Sequence, residues 1–152
     1  TNSGHFPHLE RFGMGNRLLR HICTHVTGQM VTMVDMIVGG VLERFPKLRL
    51  GVLEANVGWA NFWLPRMDDH SHGRRLILGA SLPMKPSEYV KRQCVLSADP
   101  DEPGLDDVIK FMGDDNLVWT GNIAGPDRLR FLGMISRYTA LVSDMSLAEA
   151  AN

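Results

Sequence analysis

The stretch from Gly39 to Asp69, GGVLERFPKLRLGVLEANVGWANFWLPRMDD, constrains the fold more than any other part of the chain. It reads as the end of a helix, a turn, a buried strand and the start of a second helix. Met30, Met33, Val34, Ile37, Val41, Leu42 and Phe45 recur at spacings of three and four, an apolar stripe that predicts a helix over Gln29 to Phe45. Pro46 stops it by steering Phe45 away from the α region. Leu48, Leu50, Val52 and Leu53 follow, apolar on both parities, as suits a strand covered on both faces in a parallel sheet. Glu54-Ala55-Asn56-Val57-Gly58 is then a polar turn into a helix carrying Trp59, Phe62, Trp63 and Met67. Parallel α/β folds gather ligands and catalytic groups at such strand ends, and Glu54 stands at one.

The same alternation extends along the chain. Strands are predicted near 21–25, 49–54, 94–98 and 116–121. Helices are predicted from Gly58 to about His72, from Leu105 to a stop at Gly113, and from Asp127 to about Tyr138, with Pro86 opening a short helical turn. Strand–helix alternation predicts a parallel sheet with crossover helices. Four such units are half of a (β/α)8 barrel or a small doubly wound sheet, and the pattern alone does not separate the two. Gly39-Gly40 inside the Met-rich helix suggests close packing against a neighbour.

At 152 residues the chain has room for one domain with a sizeable core, and no linker or repeat divides it. The net charge of −1 leaves no electrostatic footprint for nucleic acid or an anionic membrane. No apolar run reaches the roughly 20 residues a membrane span requires. The two cysteines, Cys23 and Cys94, make no disulfide framework and predict reduced thiols in a cytoplasmic protein. The sequence begins at Thr1 with no secretory segment, and Ser146-Leu147-Ala148-Glu149 is a capping box with almost no helix after it. Together these features read as a piece of a longer protein.

The strand ends present His25, Glu54, Asp99 and Asn122. Histidine ligates metals and serves as a base near neutral pH, glutamate ligates or transfers protons, and asparagine orients a substrate oxygen or a water. The bland alternative is that these residues cap loops; Asp99, before Pro100, fits that alternative best. His21, Cys23 and His25 alternate, which on a strand would put all three on one face. One strand face converges poorly on a tetrahedral ion, however. His5, His8, His70 and His72 read as solvated, and Met30, Met33 and Met36 as core packing. Trp59 and Trp63 are mainly core, with Trp59 near enough to the loop to wall a substrate pocket. There is no phosphate-binding glycine loop, Gly-x-Ser-x-Gly elbow or Cys-x-x-Cys pair.

Three segments, GGVLERFPKLRLGVLEANVGWANFWLPRMDDH, KPSEYVKRQCVLSADPDE and MGDDNLVWTGNIAGPD, resemble the C-terminal half of the amidohydrolase-related family. That family includes aminocarboxymuconate semialdehyde decarboxylase and related aromatic-acid decarboxylases and hydrolases. The resemblance runs from about Arg20 to the end. It implies a metal-dependent (β/α)8 barrel of which this chain supplies about the last four units, acting on a small carboxylated or cyclic substrate. It implies one divalent metal, zinc or manganese, held partly by a His-x-His or Glu-x-His pair on a first strand that this chain is expected to lack. His25, in THVTGQM, matches the fifth-strand metal ligand. Glu54 stands where the best-known decarboxylases carry a proton-transferring His. The last-strand motif Trp-x-Ser-Asp-Tyr-Pro-His reads here Trp119-Thr120-Gly121-Asn122-Ile123-Ala124-Gly125, so the metal-binding Asp is Asn122 and the His is Gly125. A neutral amide is a weak ligand and accepts no proton, so impaired chemistry is expected of this chain. The alternative is an inactive half-barrel that self-associates, likewise a homo-oligomer, to cover its open sheet edges.

Overall fold

A computed structural model describes residues 17–73, 82–99 and 102–119. Its elements in chain order are α1 (Arg17–Val38), α2 (Val41–Arg44), β1 (Leu50–Val52), α3 (Ala60–Asp68), a π-helical turn (Asp69–Gly73), α4 (Pro86–Gln93), β2 (Cys94–Ala98), α5 (Leu105–Met112) and β3 (Leu117–Trp119). The three strands form one sheet in the order β1-β2-β3, and both pairings are parallel. Leu50 pairs with Cys94 and Val52 with Leu96, while Leu96 in turn pairs with Leu117 and Ala98 with Trp119. All the C-terminal strand ends therefore lie along one edge.

Strand parity decides the core. Val52, Cys94, Leu96 and Ala98 point to one side and are buried with Met33, Ile37, Leu42, Leu64, Tyr89, Val90 and Val108 from the helices. The opposite side carries Gly51, Val95, Ser97 and Val118, with Leu53 just beyond β1; Leu53 is 45% and Val118 39% exposed. One face of the sheet is packed by helices and the other is only partly covered.

The strand expected at 21–25 is overturned. Those residues lie inside α1, a 22-residue helix. The alternation of His21, Cys23 and His25 with Ile22, Thr24 and Val26 mimicked a strand, but no buried sheet face rewards it, and Ile22 is 62% exposed. Helix propagation from the anchored Met33–Ile37 turn costs little per residue and outcompetes β-propensity. Three parallel strands, not four, are thus found among the described residues.

Gly39-Gly40 breaks the Met-rich helix rather than packing it closely. Gly40 is left-handed, with φ 75°, and a Cβ on Gly39 would lie 2.3 Å from the Asp35 carbonyl oxygen. The other elements follow the sequence. Pro65 sits inside α3, and α5 ends at Gly113 as the pattern predicts. The start of α4 is held by Asp68, whose carboxylate accepts from the Ser87 amide at 2.9 Å and the Ser87 hydroxyl at 2.6 Å. The expected helix over Asp127 to Tyr138 lies outside the described residues.

Candidate functional site

Two residues past β1, Glu54 begins the turn into α3. Its backbone is left-handed, with φ 60°, and so is that of Asn56, with φ 56°. For residues with a Cβ this conformation costs about 1 kcal/mol each and persists only under constraint. The constraints are visible. The Glu54 amide donates to the buried Ser97 hydroxyl on β2 at 2.8 Å. The amides of Val57 and Gly58 donate to Glu102 Oε1 at 2.7 and 2.6 Å. Trp59 folds its indole back over the turn, donating from Nε1 to the carbonyls of Asn56 at 2.9 Å and Ala55 at 3.1 Å. Its indole NH is thereby engaged with the turn itself, and the Glu54 side chain is exposed at the sheet's C-terminal edge.

His25 is not at a strand end. It sits within α1, and its ring stacks on that of His21 one turn earlier, with centroids 5.1 Å apart and planes 12° apart. The same helical face continues to Gln29, whose Nε2 donates to the Leu53 carbonyl at 3.3 Å. His25 therefore precedes, by about 6 Å of helix rise, the point where α1 meets the end of β1. Cys23 does not join the two histidines, because residues two apart on a helix face apart. Asp99 follows β2 directly, and its carbonyl accepts from the Glu102 amide at 3.0 Å, the turn role its sequence context predicts. Asn122 lies outside the described residues. His70 in the π-helical turn hydrogen-bonds through Nδ1 with the Arg66 carbonyl at 2.9 Å and is half-buried rather than fully solvated.

Among the described residues, no three His, Cys, Asp or Glu side chains come together to hold a metal ion. His25 and Glu54 by themselves do not fit a closed metal site. Ser97 and Glu102 are the site residues that sequence reasoning passed over. Glu102 ends the acidic run Asp99-Pro100-Asp101-Glu102, and a contact 45 residues away along the chain leaves no periodic trace.

No family model matches the sequence, and no curated protein matches it. Solved structures do. An amidohydrolase from Mycobacterium avium subsp. paratuberculosis superposes with a TM-score of 0.70 at 17% identity, over 89% of this chain and 34% of that one. The 5-carboxyvanillate decarboxylase of Sphingomonas paucimobilis aligns at 29% identity and a TM-score of 0.53, over 75% of this chain and 33% of that one. In fold the chain is similar to these two solved structures. The resemblance to amidohydrolase-type proteins is borne out by these neighbours, and the chain spans about a third of the length of each.

Proposed function

We propose that the chain contributes to a hydrolase or decarboxylase of the amidohydrolase type acting on a small carboxylated or cyclic substrate. The observation that carries this reading is Glu54, held in a strained turn at the C-terminal edge of a parallel sheet whose fold matches an amidohydrolase. Barrel enzymes place their chemistry at that edge. In this reading the Glu54 carboxylate is a ligand or the acid/base group, Asn122 orients substrate or water, and Trp59 walls the pocket. A divalent ion, zinc or manganese, would take His25 as one ligand but would need further ligands from outside the described residues. A cytoplasmic location belongs to this reading, drawn from the two cysteines that make no disulfide framework; separately, among the described residues, no helix is long and apolar enough to cross a membrane.

The test is metal analysis of the purified protein together with a Glu54→Gln variant. Competence predicts about one zinc or manganese per subunit and a lower melting temperature on chelation, both reduced in the variant. Metal-free protein whose melting ignores chelators would reject the metal-dependent reading for this chain. A second reading, an inactive half-barrel that associates with copies of itself, is favoured by two observations among the described residues: no three His, Cys, Asp or Glu side chains converge on a metal site, and the outer edges of β1 and β3 are unpaired.

A further inference from the structure

The turn that carries Glu54 is held largely from elsewhere in the chain. Its two left-handed residues, Glu54 and Asn56, are kept in place by groups on β2 and the loop after it. Glu102 contributes most. One carboxylate oxygen takes both successive amides, Val57 and Gly58, at charge-assisted distances of 2.7 and 2.6 Å. The other oxygen, Oε2, is buried with no hydrogen-bond partner among the described residues, and within that set these two amides orient the carboxylate. The fit is close. A Cβ on Gly58 would lie 3.3 Å from Glu102 Oε1 and 3.1 Å from the Pro103 carbonyl oxygen. With the Ser97 hydroxyl on the Glu54 amide, the turn is gripped at its first residue and at its last two.

We propose that Glu102 is a positioning residue for Glu54. Its carboxylate, reaching across from the β2–α5 loop, fixes the turn's exit and thereby the direction in which Glu54 leaves β1; it touches no reacting atom itself. This rests on reading Glu54 as the functional carboxylate. The competing role is that of a local cap on the first turn of α3, which would hold Val57 and Gly58 without governing Glu54.

Nuclear magnetic resonance on the isotope-labelled 152-residue chain separates the two roles. In the unmutated protein, through-hydrogen-bond couplings join the Val57 and Gly58 amides to the Glu102 carboxylate carbon, and both amide protons lie downfield. Failure to see either coupling overturns the proposal without any variant. Glu102→Gln keeps the shape and removes the charge, and Glu102→Asp keeps the charge and removes the reach. Both are expected to move the Glu54 amide and the Trp59 indole resonances and to raise amide exchange at Val57 and Gly58 by about tenfold or more. The Trp63 indole, bonded to the Met30 carbonyl at 3.1 Å outside the turn, stays fixed. If only Val57 and Gly58 respond while Glu54 and Trp59 hold still, Glu102 is a cap and the proposal is wrong. None of these readouts needs turnover, so an absent activity would sink the functional reading and leave this one intact. Where Glu54→Gln abolishes an activity, Glu102→Gln lowers kcat about tenfold with little change in KM; a change confined to KM counts against positioning.

Discussion

Tyr89 has no exposed surface, and its hydroxyl donates to Glu43 Oε2 at 2.6 Å. The Arg92 guanidinium lies 5.0 Å from the Tyr89 ring centre and 3.8 Å from the Glu43 carboxylate. Burial first, then the Glu43 carboxylate, pushes the phenol from its ordinary 10.0 up to about 12. Burial alone raises the Cys94 thiol from 9.0 to about 11. Both folded groups hold their protons more tightly than the unfolded chain does. Their contributions are complete below the unfolded values and decline as pH rises through the shifted ones. Denaturant midpoints should therefore fall across about pH 9 to 12, with the upper part of that slope flattened in Tyr89→Phe. That variant should also lose about 1 kcal/mol at neutral pH, because half-exposed Glu43 can be rehydrated. A flat profile over that range would contradict the burial of both groups. Thiol titration gives a second check: the half-buried Cys23 should alkylate in the native protein and buried Cys94 only on unfolding.

At the scale of elements, legibility followed how local the cause was. β2 and α5 were readable because apolar runs and a terminal glycine mark them, and the LEANVGW turn because a polar cluster follows an apolar run. The 21–25 segment was misread because six residues alternate under either geometry, and only the length of α1 and its anchoring at Met33 and Ile37 decide between them. The grip of Ser97 and Glu102 on the Glu54 turn is a tertiary fact joining segments more than 40 residues apart, which no window of sequence contains. The glycines that end elements give a sharp test. Gly113 closes α5 with φ 84° and ψ 179°, a region essentially reserved for glycine. Gly113→Ala should destabilise by about 1–3 kcal/mol. Gly39→Ala should match or exceed it, since its Cβ would meet backbone at 2.3 Å rather than a movable side chain. Thermal melts of the two variants beside an exposed α5 control such as Asp107→Ala measure this, and a Gly39→Ala protein as stable as the control would show that the α1–α2 break is not sterically fixed.

At the scale of the whole molecule, the described residues cover one face of the parallel sheet fully and the other only in part. Parallel sheets are ordinarily buried on both faces, and unpaired strand edges template further pairing. Here β1 and β3 flank the sheet with no outer neighbours among the described residues, and Leu53 and Val118 stand exposed on the partly covered face. In the two solved structures the matched region is about a third of a longer chain. Under the half-barrel reading proposed above, the same surface would be covered by a second copy. Sedimentation is expected to show concentration-dependent dimers or larger species. Val118→Asp should shift that equilibrium toward monomer without lowering the melting temperature of the monomer, because its side chain points away from the helix-covered core. Phe62→Asp, an exposed change on α3, serves as the control and should leave association unchanged. A stable, well-folded monomer at every concentration tested would mean that the open face is covered from within the chain, and the half-barrel picture would have to be abandoned.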